Sequence, residues 1–265
     1  MTANRIVNRS TEITARTTFG DIVVPDELRR VNKSGIPEID VLFAGEGIRP
    51  STVALLTGLP GAGKTTLSLQ LACALAGMGH IVQYNSCEES LEQLKMNIER
   101  MNLPASINKV HPSSFSEVNE ILDHANSIKS NHRIARDKGF FLFIDSLQTI
   151  EKAREEGLRG RNHSQANQAV IATWDISNWC KETYNTAIII GQVTKDGEFA
   201  GKNELKHAID CHLHMAIDKD RQAPTYGERF ITATKNRFGA TGIDYYYTTG
   251  RAGITFTGDI ASRTS

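Results

Sequence analysis

The stretch Gly58-Leu59-Pro60-Gly61-Ala62-Gly63-Lys64-Thr65-Thr66 decides the fold. The apolar run Val53-Ala-Leu-Leu precedes it, and Leu67-Ser-Leu-Gln-Leu-Ala-Cys-Ala-Leu follows. The order is strand, glycine-rich loop, helix, and the loop fits G-x-x-x-x-G-K-[ST], the phosphate-binding P-loop. Glycines at 58, 61 and 63 let the backbone turn tightly, so successive N–H groups face one anion. A helix starting near Lys64 adds its positive dipole end. Lys64 reaches the β- and γ-phosphates of a nucleoside triphosphate, and the Thr65 hydroxyl reaches Mg²⁺. Pro60, Ala62 and Thr66 complete the expected ATP cradle.

Outward from this loop the chain alternates strand and helix. Residues 36–43 show helical spacing in Ile36, Ile39, Leu42 and Phe43. His80-Ile-Val-Gln-Tyr-Asn-Ser reads as a strand, and Ser90 reads as the N-cap of a helix over 91–101. A short strand lies around Val110. A helix over 116–130 follows, with Ser116 as its expected N-cap. Gly139-Phe-Phe-Leu-Phe-Ile-Asp145 and Thr186-Ala-Ile-Ile-Ile-Gly-Gln192 are continuous apolar runs, as strands buried on both faces of a parallel sheet are. Between them the spacing predicts a long helix from about Gln165. Residues 151–165 and 194–207 read as polar loops. The last quarter reads as strands over 212–217, 229–235, 244–248 and 253–256. Phe19-Gly-Asp-Ile-Val-Val has some strand character, which Pro25 limits. The expected fold is therefore α/β: a mainly parallel central sheet flanked by helices and extended by antiparallel C-terminal strands. Residues 1–29 read as an arm, 30–257 as one domain and 258–265 as a tail.

Composition sets further bounds. The chain has 265 residues, enough to bury one substantial core, and its 30 basic and 30 acidic residues cancel. Whole-molecule attraction to nucleic acid is therefore excluded, and any such contact needs a local cluster. Lys152, Arg154, Arg159 and Arg161 in one polar loop, and Lys195, Lys202 and Lys206 in the other, are the clusters available. Neither loop is rich in aromatic residues, so sequence-independent contact with the phosphate backbone is expected over base stacking. No apolar run approaches the ~20 residues of a membrane span. The four cysteines form no C-x-x-C pair, so zinc is not indicated; Cys73 in an apolar helix and Cys87 at a strand end suit reduced core positions, which with nucleotide chemistry suggests a reducing, cytoplasmic setting. Arg5, Arg9 and Arg16 faintly suggest a transit peptide, but an N-terminal arm is the reading preferred.

Six further residues, at four places in the chain, carry candidate chemistry. Asp145 ends an apolar strand, where a P-loop enzyme places its second metal-organising acid. Glu88 and Glu89 follow another strand, and one of them is expected to polarise the attacking water, with Glu88 favoured. The amide of Gln192, ending the next buried strand, is placed to sense the γ-phosphate. Lys235 and Arg237 put two cations in a tight loop at a strand end, suited to act on a neighbour's γ-phosphate.

Several of these stretches coincide with one family. The P-loop with residues 30–43, Tyr84-Asn-Ser-Cys-Glu-Glu-Ser90, Ile144-Asp-Ser-Leu-Gln-Thr149, Gly191-Gln-Val-Thr-Lys-Asp-Gly197 and Lys235-Asn-Arg-Phe-Gly-Ala240 resemble the ATPase core of bacterial RadA (Sms) proteins. These are RecA-fold relatives of the DnaB helicases, and Arg237-Phe-Gly-Ala-Thr-Gly242 also looks like a DnaB finger loop. The resemblance implies a hexameric ring or filament on single-stranded DNA, with ATP and Mg²⁺ between protomers and a role in recombination and repair through branch migration. It implies Lys64 and Thr65 on phosphate and Mg²⁺, Asp145 as Walker B acid, Glu88 on the water and Gln192 as sensor. Lys235 and Arg237 would act across the interface, and the two basic loops would face the DNA. Family members carry a four-cysteine zinc module, a Lon-protease-like domain and usually His at the Gln192 position. The chain has none of these patterns, which is expected of a phage-type or reduced homologue. A DnaB-like helicase core and a KaiC-like regulatory ATPase that does not act on DNA are the alternative readings.

Overall fold

The computed structural model describes residues 14–150, 165–192 and 202–259. One sheet of nine strands runs through it, in the spatial order β3-β2-β4-β5-β1-β6-β7-β8-β9. The strands are β1 (Val53–Gly58), β2 (Ile81–Ser86), β3 (Val110–Ser113), β4 (Phe140–Asp145), β5 (Thr186–Gln192), β6 (Cys211–Ile217), β7 (Arg229–Asn236), β8 (Asp244–Gly250) and β9 (Gly253–Asp259). β1 to β6 pair in parallel, and β7, β8 and β9 continue the sheet antiparallel. The fold is α/β with a mainly parallel centre and an antiparallel extension, as the apolar runs and the strand-rich tail imply.

The helices are α1 (Asp26–Arg29), α2 (Pro37–Ala44), α3 (Lys64–Gly77), α4 (Leu91–Met101), α5 (Val118–Asn131), α6 (Gln165–Thr183) and α7 (Lys202–Ala208). Alternation along the buried strands assigns them to faces. On one face Leu56, Phe141, Phe143, Ile188 and Ile190 pack with Leu71 and Leu75 of α3 and Leu94 of α4. On the other, Leu55, Leu142, Ile144 and Ile189 pack with Ile121 of α5 and Ile176 of α6. β1 and β4 are buried along their whole length, so apolar side chains on both faces were required of them.

Local signals explain most element ends. Ser90 Oγ accepts from Gln93 N at 3.2 Å and caps α4. Asn102, in the left-handed region at φ 52°, ends that helix two residues before Pro104. Three expectations are corrected. Residues 202–208 are helical, not loop, because Leu205 and Ala208 bury one face of α7 beside Ile209. Glu117, not Ser116, precedes α5 and makes no side-chain cap. Phe19–Asp21 is a single 3-10 turn with no strand after it, closed by Asp21 Oδ2 accepting from Thr18 N at 2.8 Å.

Candidate active site

All the parallel strands point their carboxyl ends the same way, and the ligand crevice of an open α/β sheet lies there. Ser86 of β2 is level with Asp145 of β4, Asp145 with Ile190 of β5, and Gln192 of β5 with Gly58 of β1. Four chain segments therefore deliver Glu88, Asp145, Gln192 and the P-loop to one rim.

The P-loop is held by geometry that only glycine fits. A Cβ on Gly58 would sit 2.7 Å from the Met215 carbonyl oxygen. Gly63, at φ +100°, is the N-cap of α3, whose first-turn N–H groups have no partner within the helix and suit an anion. Leu59 and Pro60 are exposed, Gly61 is left-handed at φ 77°, Ala62 is buried and Thr66 is half-buried in the first turn of α3. Lys64 Nζ donates to the carbonyls of Gly58 at 2.8 Å and Leu59 at 3.2 Å. Burial pulls its ammonium below the usual lysine range, against the opposing pull of Asp145 and Glu88.

Thr65 Oγ1 donates to Asp145 Oδ2 at 2.8 Å. The same oxygen accepts from Tyr84 Oη at 3.0 Å, and Tyr84 Oη lies 2.8 Å from Ser68 Oγ. Burial pushes the Asp145 carboxyl up, while the two hydroxyl donors pull it back down. A hydroxyl and a carboxylate oxygen side by side next to a phosphate loop suit Mg²⁺, which takes few protein oxygens and keeps waters. The donor set therefore fits the ion.

Glu88 and Glu89 separate clearly in their surroundings. Glu88 is exposed at the rim, and its Oε1 accepts from Ser146 Oγ and, at 3.0 Å, from Gln192 Nε2. The Gln192 carbonyl in turn accepts from Gln148 Nε2 at 3.1 Å. Glu89 turns toward α4, where its Oε2 accepts from Asn97 Nδ2 at 3.1 Å. Burial, with repulsion from Asp145 and Glu88, raises its carboxyl.

Lys235 and Arg237 are not at this rim. β7 runs antiparallel, so Lys235 is level with His212 and Asn236 with Cys211, the first residue of β6. Gly58 is level with Met215 at the other end. Arg237 thus lies roughly 16 Å down the strands from the P-loop and roughly 10 Å sideways. No side chain crosses that gap within one chain.

Of the basic loop residues, Lys152, Arg154, Arg159, Arg161 and Lys195 lie outside the described residues. Lys202 is the first residue of α7, and Lys206 is exposed in its last turn.

Sequence reasoning did not assign a role to four residues around the rim. Tyr84 and Ser146 bond directly to the acids. Arg229 Nη1 donates to the Gly61 carbonyl at 3.0 Å, and Tyr247 Oη donates to the Ala62 carbonyl at 2.9 Å. Burial pushes the Tyr247 hydroxyl up to about 12, so it stays a donor. Tyr84 carried a signal, a hydroxyl inside a buried strand. Arg229 and Tyr247 reach the loop only because β7 and β8 join the sheet beside β6.

A family model described as "ATPase: KaiC" matches residues 32–258. The chain belongs to that ATPase family. The family's description names an ATPase. Among curated relatives, "DNA repair protein RadA" of Mycobacterium tuberculosis is 31% identical over 207 residues, which is 78% of this chain and 39% of the relative. The RadA proteins of Haemophilus influenzae and Aquifex aeolicus are each 34% identical, over 78% and 79% of this chain and 40% and 42% of theirs. The chain thus spans about two-fifths of the length of these relatives. The fold is shared with a DnaB-like replicative helicase, at TM-score 0.71 and 16% identity over 84% of this chain and 61% of that one. The KaiC-like protein PH0186 of Pyrococcus horikoshii gives TM-score 0.65 at 20% identity over 86% and 98%.

Among the described residues no helix is long and apolar enough to cross a membrane, and the four cysteines are free.

Proposed function

We propose that the chain is the motor core of a DNA-stimulated ATPase that moves or remodels strands in recombination and repair. In this reading it works as a ring or filament of identical copies, with a hexamer as the favoured ring. The observation that carries the proposal is the division of the machinery between the two ends of the sheet. Lys64, Thr65, Asp145, Glu88 and Gln192 share one rim, while Lys235 and Arg237 sit at the other end, so only a second copy could bring those two cations to the phosphates.

The chemistry follows from the rim. Lys64 leaves the Gly58 carbonyl for the β- and γ-phosphates, and the N–H groups at Gly63 and beyond hold the β-phosphate. Thr65 and Asp145 would hold Mg²⁺, which would supply charge neutralisation on the phosphates. Glu88 orients a water and takes its proton as the water oxygen bonds to the γ-phosphorus and the bond to the β–γ bridging oxygen breaks. The products are ADP and phosphate. The Gln192 amide, hydrogen-bonded to Glu88, reads whether the γ-phosphate is present and passes that state to residues 193–201 and α7. A neighbour's Lys235 and Arg237 balance the charge that develops on the γ-oxygens.

DNA enters this reading through the name of the RadA relatives and through the basic residues on the segments after β4 and β5. Contact is with the phosphates of a single strand, without sequence preference. The KaiC-type family match supports a second reading, a regulatory ATPase that acts through protein partners. ATP hydrolysis measured with and without single-stranded DNA across a salt series separates the two. Stimulation that fades as salt rises supports the DNA motor, and an unchanged rate at every salt refutes it.

A further inference from the structure

The end of the sheet away from the P-loop holds a cluster centred on Asp210, between α7 and β6. Asp210 is 3% exposed. Its N–H donates to the Val53 carbonyl at 2.8 Å, and its Oδ2 accepts from Val53 N at 2.9 Å. Both bonds seize the first residue of β1, the strand whose other end is the P-loop. Its Oδ1 accepts from Arg237 Nη1 at 2.7 Å, and its carbonyl accepts from Arg237 N at 3.0 Å. Arg237 Nη2 also donates to the His207 carbonyl at 3.1 Å. Lys235 Nζ donates to the Ile209 carbonyl at 2.7 Å and to the Lys206 carbonyl. Both cations are thus moored on the carbonyls at the end of α7, where positive charge is favoured.

We propose that Asp210 is a positioning residue for the trans-acting finger: it fixes Arg237 between the head of β1 and the end of α7, so the finger's reach into the neighbouring site follows the placement of α7. The proposal rests on the reading of Lys235 and Arg237 as trans-acting. Its physical basis is connectivity. The chain from Gln192 to Asp210 starts at the phosphate rim of one copy and ends on the finger that serves the next. β1, buried along its length, joins the same two points as a stiff strut. The Arg237 side chain stays 43% exposed while it is moored, so the guanidinium keeps an open side on which to meet a phosphate. A carboxylate does this job where an amide does not, because its two oxygens accept from Val53 N and Arg237 Nη1 together. An asparagine can accept only one of them and turns an NH₂ on the other.

The test is complementation between copies. Asp210→Asn should lower kcat by about tenfold or more, as expected when a finger is misplaced, with KM for ATP within about twofold. Asp210→Asn protomers keep a working P-loop, and Lys64→Ala protomers keep a working finger. Mixed one to one at random, about a quarter of neighbour contacts pair the two correctly. The mixture should therefore hydrolyse ATP faster than either variant alone, as should a parallel mixture of Arg237→Ala with Lys64→Ala. Adding Asp210→Asn to Arg237→Ala should cost nothing further. Rescue of Arg237→Ala without rescue of Asp210→Asn would mean that Asp210 serves only its own P-loop strand, and the proposal falls while the finger reading stands. If neither mixture recovers, the finger reading fails and takes the proposal with it. A wild-type rate for Asp210→Asn also overturns it. Should that variant not fold, Asp210→Glu, which keeps the charge but displaces the guanidinium, goes through the same mixtures with the same outcomes.

Discussion

Glu88 and Glu89 are adjacent in sequence but face different surroundings, Glu88 at the rim and Glu89 toward α4, so exchanging each for glutamine is a sharp perturbation. Glutamine at 88 keeps an Oε1 that accepts from Ser146 and Gln192 but cannot take a proton from water. Loss of a positioned general base costs about 10²- to 10⁴-fold, or roughly 3–5 kcal/mol of barrier. Glu88 is exposed, so the same change should move folding stability by no more than ~0.5 kcal/mol. Glutamine at 89 keeps the acceptor for Asn97 and removes a charge that the fold disfavours, since burial and its acidic neighbours raise that carboxyl. Stability should hold or rise slightly, and hydrolysis should stay within about threefold of wild type. Phosphate release measured at saturating ATP, with fluorescent-nucleotide binding and urea unfolding on the same samples, reads all three quantities. Retained activity in Glu88→Gln together with collapse in Glu89→Gln would refute the assignment.

Other expectations follow from packing and titration. Gly58→Ala forces a Cβ to 2.7 Å from the Met215 backbone oxygen. It should cost about 1–3 kcal/mol in urea unfolding and weaken ATP binding, because β1 and β6 must part just where the P-loop begins. His80 is buried, accepts from Gly139 N at 3.0 Å through Nδ1, and is held down to about 4 chiefly by burial. Above its unfolded value of 6.5 both states are neutral; below it only the unfolded chain gains the proton, until the folded value is reached. Stability should therefore fall as pH drops from about 6.5 to 4, by about 2 kcal/mol at pH 5 from His80 alone. His212, also held near 4, adds in the same direction. His80→Gln should flatten part of that slope in urea titrations.

The parts of this fold that read directly from sequence are those decided locally. The P-loop, the apolar runs of β4 and β5, and the Ser90 cap each carry their cause within a few residues. α7 did not read as a helix because polar residues surround the two apolar side chains that bury it, and their partner, α6, is remote in sequence. Ser116 had cap chemistry, yet Glu117 leads the helix without a side-chain cap. At the rim, Asp145 and Gln192 were visible as polar ends of apolar runs. Tyr84, Ser146, Arg229 and Tyr247 gained their places from strand order, which brings β2 beside β4 and β7 beside β6. Asp210 lies in the same class: nothing in its flanking sequence says that its carboxylate ties β1 to Arg237.

On the proposed reading, hydrolysis occurs between copies of this chain. ATP hydrolysis per chain, followed through a dilution series with mass measured in parallel by light scattering, tests it most directly. Specific activity should fall in step with dissociation of the oligomer and approach zero for the single chain. A monomer that hydrolyses ATP at the full rate would contradict the account.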